Sequence, residues 1–470
     1  MRQIKNRGNL AQTLFPHKEG RKPGVHFIGV GGIGVSALAR WFLAQKWAVS
    51  GSDLTASSLT KDLSKEGVWL KIGHKKAHIP SSVGLVICTS AIRRENPEFR
   101  EVKRRRIPVL TYPEAIGRIT RAYRTVGVAG SHGKSTTTAL VGLILRKAKK
   151  DPTVVVGTKL REFAGKNFRK GKSDILVLES DEWAGAFRHY SPSLALVTNI
   201  DREHLDFYKN LTRIKKAFLE FLSHVLPGGT MILNAEDKNL FSLKHAIEKI
   251  ARKRNVEIKW YRARSPLGTH LKKMMMIPGT HNLSNACGAV VAARTLGVPD
   301  RVSFHAVHNY RGAWRRMEYR GTFQVSGIKC QVYDDYGHHP TEIKATLKAF
   351  KEKFPNRPLI CVYQPHQAKR LQALFKEFRG AFDAADTTLL MPLYQVPGRD
   401  EKIDPRFDSE SLVRAIQKQH PKQRVFYLAN PRNLSKALSS LLLATDYLLP
   451  PIIVMMGAGN IVDYTDTLVR

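Results

Sequence analysis

The chain is short of acid. Its 77 lysines and arginines face 39 aspartates and glutamates, a formal net charge of +38. Cysteine is scarce too: four residues (Cys88, Cys287, Cys330, Cys361) lie far apart, with no C-x-x-C spacing. That excludes a disulfide framework and a zinc ribbon, and fits a reducing compartment. The opening stretch Met1 to Pro23 is basic and polar and has no apolar core, so no signal peptide is predicted. No long apolar run appears either. The most apolar late stretch, Leu441 to Val462, contains Asp446, Pro450-Pro451 and Gly457-Ala-Gly459, which predicts a core helix and strand rather than a membrane span. Basic residues are spread through every segment. Their densest runs (Lys103 to Arg106, Lys147 to Lys150, Arg252 to Arg254) are short and carry no interleaved aromatics. A nucleic-acid partner is therefore not expected; a basic surface with a site for polyanionic substrates is. The apolar share, 43%, is that of a folded globular protein. A soluble cytoplasmic protein of about three domains is the expectation.

What the chain does have is glycine at strand-to-helix turns. Val126-Gly-Val-Ala-Gly-Ser-His-Gly-Lys-Ser-Thr-Thr-Thr138 reads as a strand, a loop with Gly130 and Gly133, and a helix from Lys134 to about Lys147. Backbone N–H groups and a helix N-terminus favour an anion there. Lys134 can reach terminal phosphates, and a hydroxyl can ligate Mg²⁺. The spacing departs from G-x-x-x-x-G-K-[ST], because Val128 stands where the first glycine belongs. Earlier, His26-Phe-Ile-Gly-Val-Gly-Gly-Ile-Gly34 repeats the strand–loop idea, with a helix predicted over Ser36 to Gln45. Gly29, Gly31, Gly32 and Gly34 let a backbone approach a diphosphate. Asp53, about 20 positions on and after Ser52, suits a ribose hydroxyl.

Strand and helix patterns alternate from there to Arg121, a small doubly wound unit. The second domain continues with a strand at Val154 to Val156 and a polar, glycine-bearing loop over Arg161 to Lys172. Asp174-Ile-Leu-Val-Leu-Glu-Ser-Asp-Glu182 is an apolar strand ending in acids, where a hard cation wants oxygen ligands. Leu194 to Thr198 is a strand leading into Asn199-Ile-Asp-Arg-Glu-His204. Asn282 and Asn285 stand at the predicted start of an Ala/Val-rich helix, as caps or as readers of a purine edge. Arg311, Arg315 and Arg316 precede the third domain and suit anionic oxygens. In that domain Gln331 to Tyr333 is a strand entering Asp334-Asp-Tyr-Gly-His-His339, and Pro340 opens a helix. Leu359 to Tyr363 is another strand, ending in Gln364-Pro-His366, with Arg370 on the helix after it. Adjacent His338 and His339 do not make a bis-histidine zinc site.

Those motifs together resemble the Mur ligases from about Val25 onward. The resemblance rests on His26 to Gly34, Gly51-Ser-Asp53, Gly130 to Ser135, Glu179-Ser-Asp-Glu182, Thr198 to Asp206, His281-Asn282, Asp334 to Glu342, Gln364-Pro-His366 and Met456-Gly-Ala-Gly459. The Gly-Gly-Ile-Gly loop and the Asp334 to Glu342 block are particular to the alanine-adding branch. The resemblance implies an α/β chain of three domains: residues 1–122, Rossmann-like and binding a UDP-substrate; 123–317, a P-loop ATPase domain with a mostly parallel sheet; and 318–470, Rossmann-like and bringing the amino acid. It explains the departure from Walker spacing, which is the family's own. The reaction implied is ATP-dependent joining of L-alanine to the lactyl carboxylate of UDP-N-acetylmuramate through an acyl phosphate, in peptidoglycan precursor synthesis. Domain closure is expected to bring the reactants together.

Residue by residue, the resemblance implies ATP binding by Gly130, Ser131, His132, Gly133, Lys134, Ser135, Thr136, Asn282, Asn285 and Arg315. It implies UDP-substrate binding by Gly29, Gly31, Gly32, Ile33, Gly34, Ser52 and Asp53, and Mg²⁺ ligation by Ser135, Glu179 and His204. Lys134, Glu179, His204 and His338 are the expected catalytic groups, with His338 the candidate base for the incoming ammonium. Arg316, Tyr336, His338, His366 and Arg370 fall on the amino-acid side. Ser131 and Ser135 stand where threonine is usual, and Gln367 where arginine is common, so Arg370 is the cation expected there. A monomer and a homodimer both fit. The alternatives are another Mur-type amide ligase (tripeptide-recycling or folylpolyglutamate synthase-like) and a basic, non-catalytic nucleotide- or nucleic-acid-binding protein.

Overall fold

The computed structural model describes residues 10–15, 23–395, 402–445 and 447–469. Most of the basic opening stretch, and Asp446, lie outside the described residues. The chain divides into two compact units. The first comprises the chain to Asp201, Leu211–Ser265 and Asn285–Val307; the second comprises Arg202–Asn210, Pro266–Ser284 and His308 onward.

The first unit carries two sheets. β1 (Gly24–Ile28), β2 (Ala48–Asp53), β3 (Trp69–Ile72), β4 (Leu85–Cys88) and β5 (Val109–Thr111) form an all-parallel sheet in the order β3-β2-β1-β4-β5. β6 (Arg124–Ala129), β7 (Thr153–Leu160), β8 (Lys166–Arg169), β9 (Ile175–Glu179), β10 (Leu194–Val197), β11 (Thr230–Asn234) and β12 (Glu257–Tyr261) follow in the order β12-β11-β10-β6-β9-β7-β8. That sheet is parallel except for the β7–β8 hairpin. β1, β6, β9, β10 and β11 are buried over nearly their whole length, as strands covered on both faces must be.

The second unit carries β13 (Glu318–Val325), β14 (Ile328–Asp335), β15 (Leu359–Tyr363), β16 (Thr387–Leu390), β17 (Arg424–Tyr427) and β18 (Ile452–Met456), ordered β13-β14-β18-β15-β16-β17. Only the β13–β14 pair is antiparallel. Side chains alternate across this sheet as period two requires. Tyr333, Cys361, Tyr363, Val454 and Met456 join one core; Val332, Ile360, Val362, Ile453 and Met455 join the other. All four cysteines are buried and free. Burial pushes the Cys88 thiol up to about 11 and the Cys287 thiol up to about 12. No helix among the described residues is long and apolar enough to cross a membrane.

Several local expectations are corrected. The first glycine-loop helix begins at Ile33 rather than Ser36. β3 escapes the sequence pattern because its residues are mostly exposed. The stretch Arg161 to Lys172, expected as loop, contains β8. Its polar Lys-Asn-Phe-Arg forms a strand because Asn167 is held by the first sheet's helix. Asn167 is fully buried. Its amide donates to Ile33 O at 2.5 Å and Ser36 Oγ at 2.9 Å, and its carbonyl accepts from Arg40 at 2.5 Å. Arg40, 4% exposed, also grips both oxygens of Glu66, and Lys159 meets Asp62 at 2.9 Å. Lastly, the helix expected to start near Asn285 spans Thr280–Thr295. Asn282 and Asn285 are therefore inside it, not caps; Asn282 donates to Pro278 O, four residues back, at 2.8 Å.

The Asn167 contacts seat the first glycine-loop helix against the β7–β8 hairpin. Asn167→Ala leaves a buried guanidinium and a carbonyl short of a partner, at a cost of about 2–3 kcal/mol. A lower urea midpoint for the first unfolding transition is expected; an unchanged midpoint refutes the role.

Candidate active site

The loop after β6 folds around Lys134. The chain leaves β6, turns at Gly130 (φ +142) and Gly133 (φ +80), and enters the helix Lys134–Lys147. A Cβ at Gly130 would fall 1.9 Å from Thr198 Oγ1, and one at Gly133 would fall 2.3 Å from Asn285 Oδ1. Only glycine fits either position. The strand end after β10 staples the loop from one side. The His132 N–H donates to Asn199 Oδ1 at 2.8 Å, Thr198 Oγ1 donates to His132 O at 2.6 Å, and His132 Nε2 lies 2.9 Å from Asp201 Oδ2. The Asp201 N–H donates to Ser131 Oγ at 2.8 Å.

The strand end after β9 supplies acids from the other side. Lys134 Nζ donates to Gly130 O at 2.7 Å and to Glu182 Oε2 at 2.9 Å, with Asp181 3.6 Å away. Burial works against this ammonium, but Glu182 and Asp181 outweigh it and hold its pKa above the ordinary lysine value. Ser135 Oγ donates to Glu179 Oε1 at 2.9 Å, and the Gly157 N–H donates to Glu179 Oε2 at 2.5 Å. No sequence motif marks Gly157. A Cβ there would meet the Glu179 carboxylate at 2.6 Å. Burial raises the Glu179 pKa, and Lys134 only partly offsets it. A serine hydroxyl and such a carboxylate side by side are the hard oxygen donors that Mg²⁺ takes. Thr136 is buried in the same first turn.

The first glycine loop sits at the point where strand order reverses, after β1. Gly29 turns with φ +81. The Gly31 N–H donates to Asp53 Oδ2 at 2.7 Å, so Asp53 holds the loop itself. Gly32 caps the helix that Ile33 and Gly34 begin. Ser52 holds the loop through its carbonyl, which accepts from the Gly29 and Val30 N–H groups. It is fully buried, and its hydroxyl donates to Glu98 Oε2 at 2.5 Å. Glu98 also meets His74 at 3.2 Å and His78 at 3.1 Å, with His26 3.8 Å away. Burial would raise this carboxyl, but the nearby His26 ring and the hydrogen bonds with His74 and Ser52 bring it down to about 2.

In the second unit, β14 ends at Asp335, which accepts from Met317 N–H and Gly337 N–H, each at 2.9 Å. His339 caps the helix Pro340–Lys353, as its place before Pro340 suggests. His338 lies between two carboxylates: Nε2 is 3.5 Å from Glu203, and Nδ1 is 3.3 Å from Glu342. Glu203, missed in the sequence, also accepts from Arg370 at 3.1 Å. Although burial opposes it, Arg370 and His338 hold Glu203 well below the carboxylate range. Arg370 donates to His366 O at 3.1 Å, and the His366 ring stacks on Tyr394. Arg315 and Arg316 lie over the Tyr336 ring at 5.2 and 4.9 Å, and Arg315 donates to Gly457 O. His204 belongs to this unit, its backbone left-handed at φ +53 and its N–H donating to Glu203. Asn282 is buried here as well.

Residues 24–124, 128–293 and 315–459 match, in turn, the Mur ligase family catalytic domain, the Mur ligase middle domain and the Mur ligase glutamate ligase domain. A UDP-N-acetylmuramate–L-alanine ligase from a Sulfurihydrogenibium species is 35% identical over 457 residues, covering 95% of this chain and 97% of that one. The chain belongs to the Mur ligase family. The UDP-N-acetylmuramate–L-alanine ligase of Persephonella marina is 36% identical over 453 residues, covering 94% and 95%. In fold, the crystal structure of the UDP-N-acetylmuramate–alanine ligase from Thermotoga maritima superposes with a TM-score of 0.75 at 24% identity, covering 95% of this chain and 98% of that one.

As a Mur ligase, the chain gathers Gly130 to Thr136, Glu179 and Asn285 in its first unit, and His204, Asn282, Arg315, Arg316, Tyr336, His338, His366 and Arg370 in its second. Two outcomes follow from the electrostatics. Lys134→Ala leaves Glu182, 1% exposed in its side chain, buried without its cation, costing about 3–5 kcal/mol. Adding Glu182→Gln should recover most of that in urea denaturation; a single variant as stable as the parent refutes the pairing. Glu98, depressed in the folded state, stabilises above its ordinary value of 4.5, and that contribution is lost as pH falls toward 2. The stability gap between the parent and Glu98→Gln should therefore shrink between pH 5 and pH 3. A gap independent of pH refutes the charged cluster.

Proposed function

We propose that this Mur ligase joins L-alanine to the lactyl carboxylate of UDP-N-acetylmuramate at the expense of ATP. The observation that carries the reading is the loop after β6: a half-buried ammonium at a helix N-terminus, with a serine hydroxyl 2.9 Å from a strand-end carboxylate. Full-length relatives named for this reaction supply the substrate. In this reading residues 1–122 take the UDP end, 123–317 take ATP, and 318–470 bring the amino acid.

A carboxylate is a poor electrophile. One of its oxygens attacks the γ-phosphorus, the bond to the β-phosphate oxygen breaks, and an acyl phosphate and ADP result. The alanine nitrogen then attacks the acyl carbon, and phosphate leaves with the C–O bond electrons. Lys134 and the loop amides hold the β- and γ-phosphates, with the helix dipole behind them. Glu182 keeps Lys134 aimed until phosphate replaces it. Ser135 and Glu179 would hold Mg²⁺, which when bound neutralises charge on the transferring group. His338, set between Glu203 and Glu342, takes the ammonium proton. Arg370, His366, Tyr336 and Arg316 orient anionic oxygens on the amino-acid side. Positioning and charge neutralisation account for the rate. The protein acts in the cytoplasm.

Phosphate release from ATP tests this directly. Release should require both UDP-N-acetylmuramate and an amino acid, with alanine ahead of serine and glycine. Lys134→Ala should lower turnover at least about 10³-fold while UDP-N-acetylmuramate still binds. Release with a murein tripeptide but not alanine would move the chain to the recycling reaction. Release indifferent to the acceptor would sink the ligase reading.

A further inference from the structure

The helix Tyr112–Ala122 runs from β5 toward β6 and touches the surroundings of both glycine loops. At its start, the Tyr112 ring covers the first turn after the first loop: a Cβ at Gly34 would lie 2.8 Å from the phenolic oxygen and 2.9 Å from Cζ. Farther along, a Cβ at Gly117 would lie 2.5 Å from His189 O. His189 ends the 3₁₀ segment Trp183–His189, which directly follows the acidic strand end Glu179 to Glu182. One helix thus leans on the diphosphate loop at one end and on the acidic segment at the other.

The phenol is half-buried, and its oxygen makes no hydrogen bond to any described residue. Its ring, packed on Gly34, fixes where that hydroxyl points beside the first loop. Burial, then the charges of Asp181 and Glu179, push its pKa up, so at neutral pH it remains a donor. A donor without a protein acceptor, set against Gly34 and within electrostatic reach of Glu179, awaits an acceptor from a ligand.

We infer that Tyr112 is a binding residue for the acceptor substrate, donating to an oxygen of the sugar–lactyl portion that spans the two loops. This rests on the reading above, in which the first loop holds the diphosphate of the UDP-sugar and the second holds ATP. An acceptor tethered at the first loop and activated at the second carries its sugar and lactyl oxygens through the interval that Tyr112 occupies. Phosphate recognition belongs to the loops and reads only the UDP end. Tyr112 distinguishes the N-acetylmuramyl end, and so contributes specificity.

The test compares calorimetric binding of UDP-N-acetylmuramate and of UDP to the parent and to Tyr112→Phe, which keeps the ring packed on Gly34. UDP-N-acetylmuramate should bind about 10-fold more weakly to the variant, with UDP affinity and unfolding midpoint unchanged. The KM for the acceptor should rise by a similar factor, and the KM values for ATP and alanine should not move. Equal binding of UDP-N-acetylmuramate to both proteins overturns the inference while leaving the functional reading intact. An equal loss for UDP also overturns it, since the tyrosine would then be shaping the loop. A parent protein that binds neither compound overturns the functional reading, and the inference with it.

Discussion

A lysine ammonium at the start of a buried helix needs negative charge close by, and much of the first unit is arranged around supplying it. Lys134 sits where the helix dipole is already positive, so an unpaired ammonium there would be doubly costly. The chain answers with Glu182, two loop carbonyls and Asp181. That answer fixes the topology. Glu182 must arrive from the strand on one side of β6, and the Thr198 to Asp201 staple from the strand on the other. The order β10-β6-β9 does this. Crossovers leaving β6 and returning on both sides create the crevice in which an open α/β sheet binds ligands.

The glycine spacing follows from the same crowding. Gly130 is squeezed by Thr198 and Gly133 by Asn285. No such neighbour makes glycine necessary at Val128, a fully buried β6 residue. The departure from the common phosphate-loop pattern thus has a local cause: the tight turn begins two residues later.

These loops were legible because strand, glycine turn and helix each leave a periodic or compositional mark. The helix Lys134–Lys147 and the cap His339 before Pro340 have the bounds the residues imply. What stayed hidden is long-range and polar. Gly157 supports Glu179 from a strand 22 positions earlier in sequence, and nothing around it resembles a motif. Asn167 lies in a stretch whose polarity reads as loop; it is a strand only because another sheet's helix buries it. Glu203 has no motif of its own beside His204, although its contacts with Arg370 and His338 organise that cluster. Ser52 meets the glycine loop in a way its side chain does not show: its carbonyl accepts from Gly29 and Val30, while its hydroxyl faces the Glu98 cluster, as alternation along a strand requires beside Asp53.

The two glycine loops share a device. In the first, Asp53 accepts the Gly31 N–H; in the second, Glu182 accepts from Lys134. Each donor is thus aimed by an internal carboxylate before any anionic ligand arrives. An entering phosphate competes with that carboxylate, which weakens the gross interaction, but it meets a donor already in place and loses little to ordering. Removing the carboxylate would not simply free the donor. At Lys134 it would leave a half-buried cation whose charge the protein must meet by rearranging the loop, so under the proposed function the acid belongs to the phosphate site although it repels phosphate.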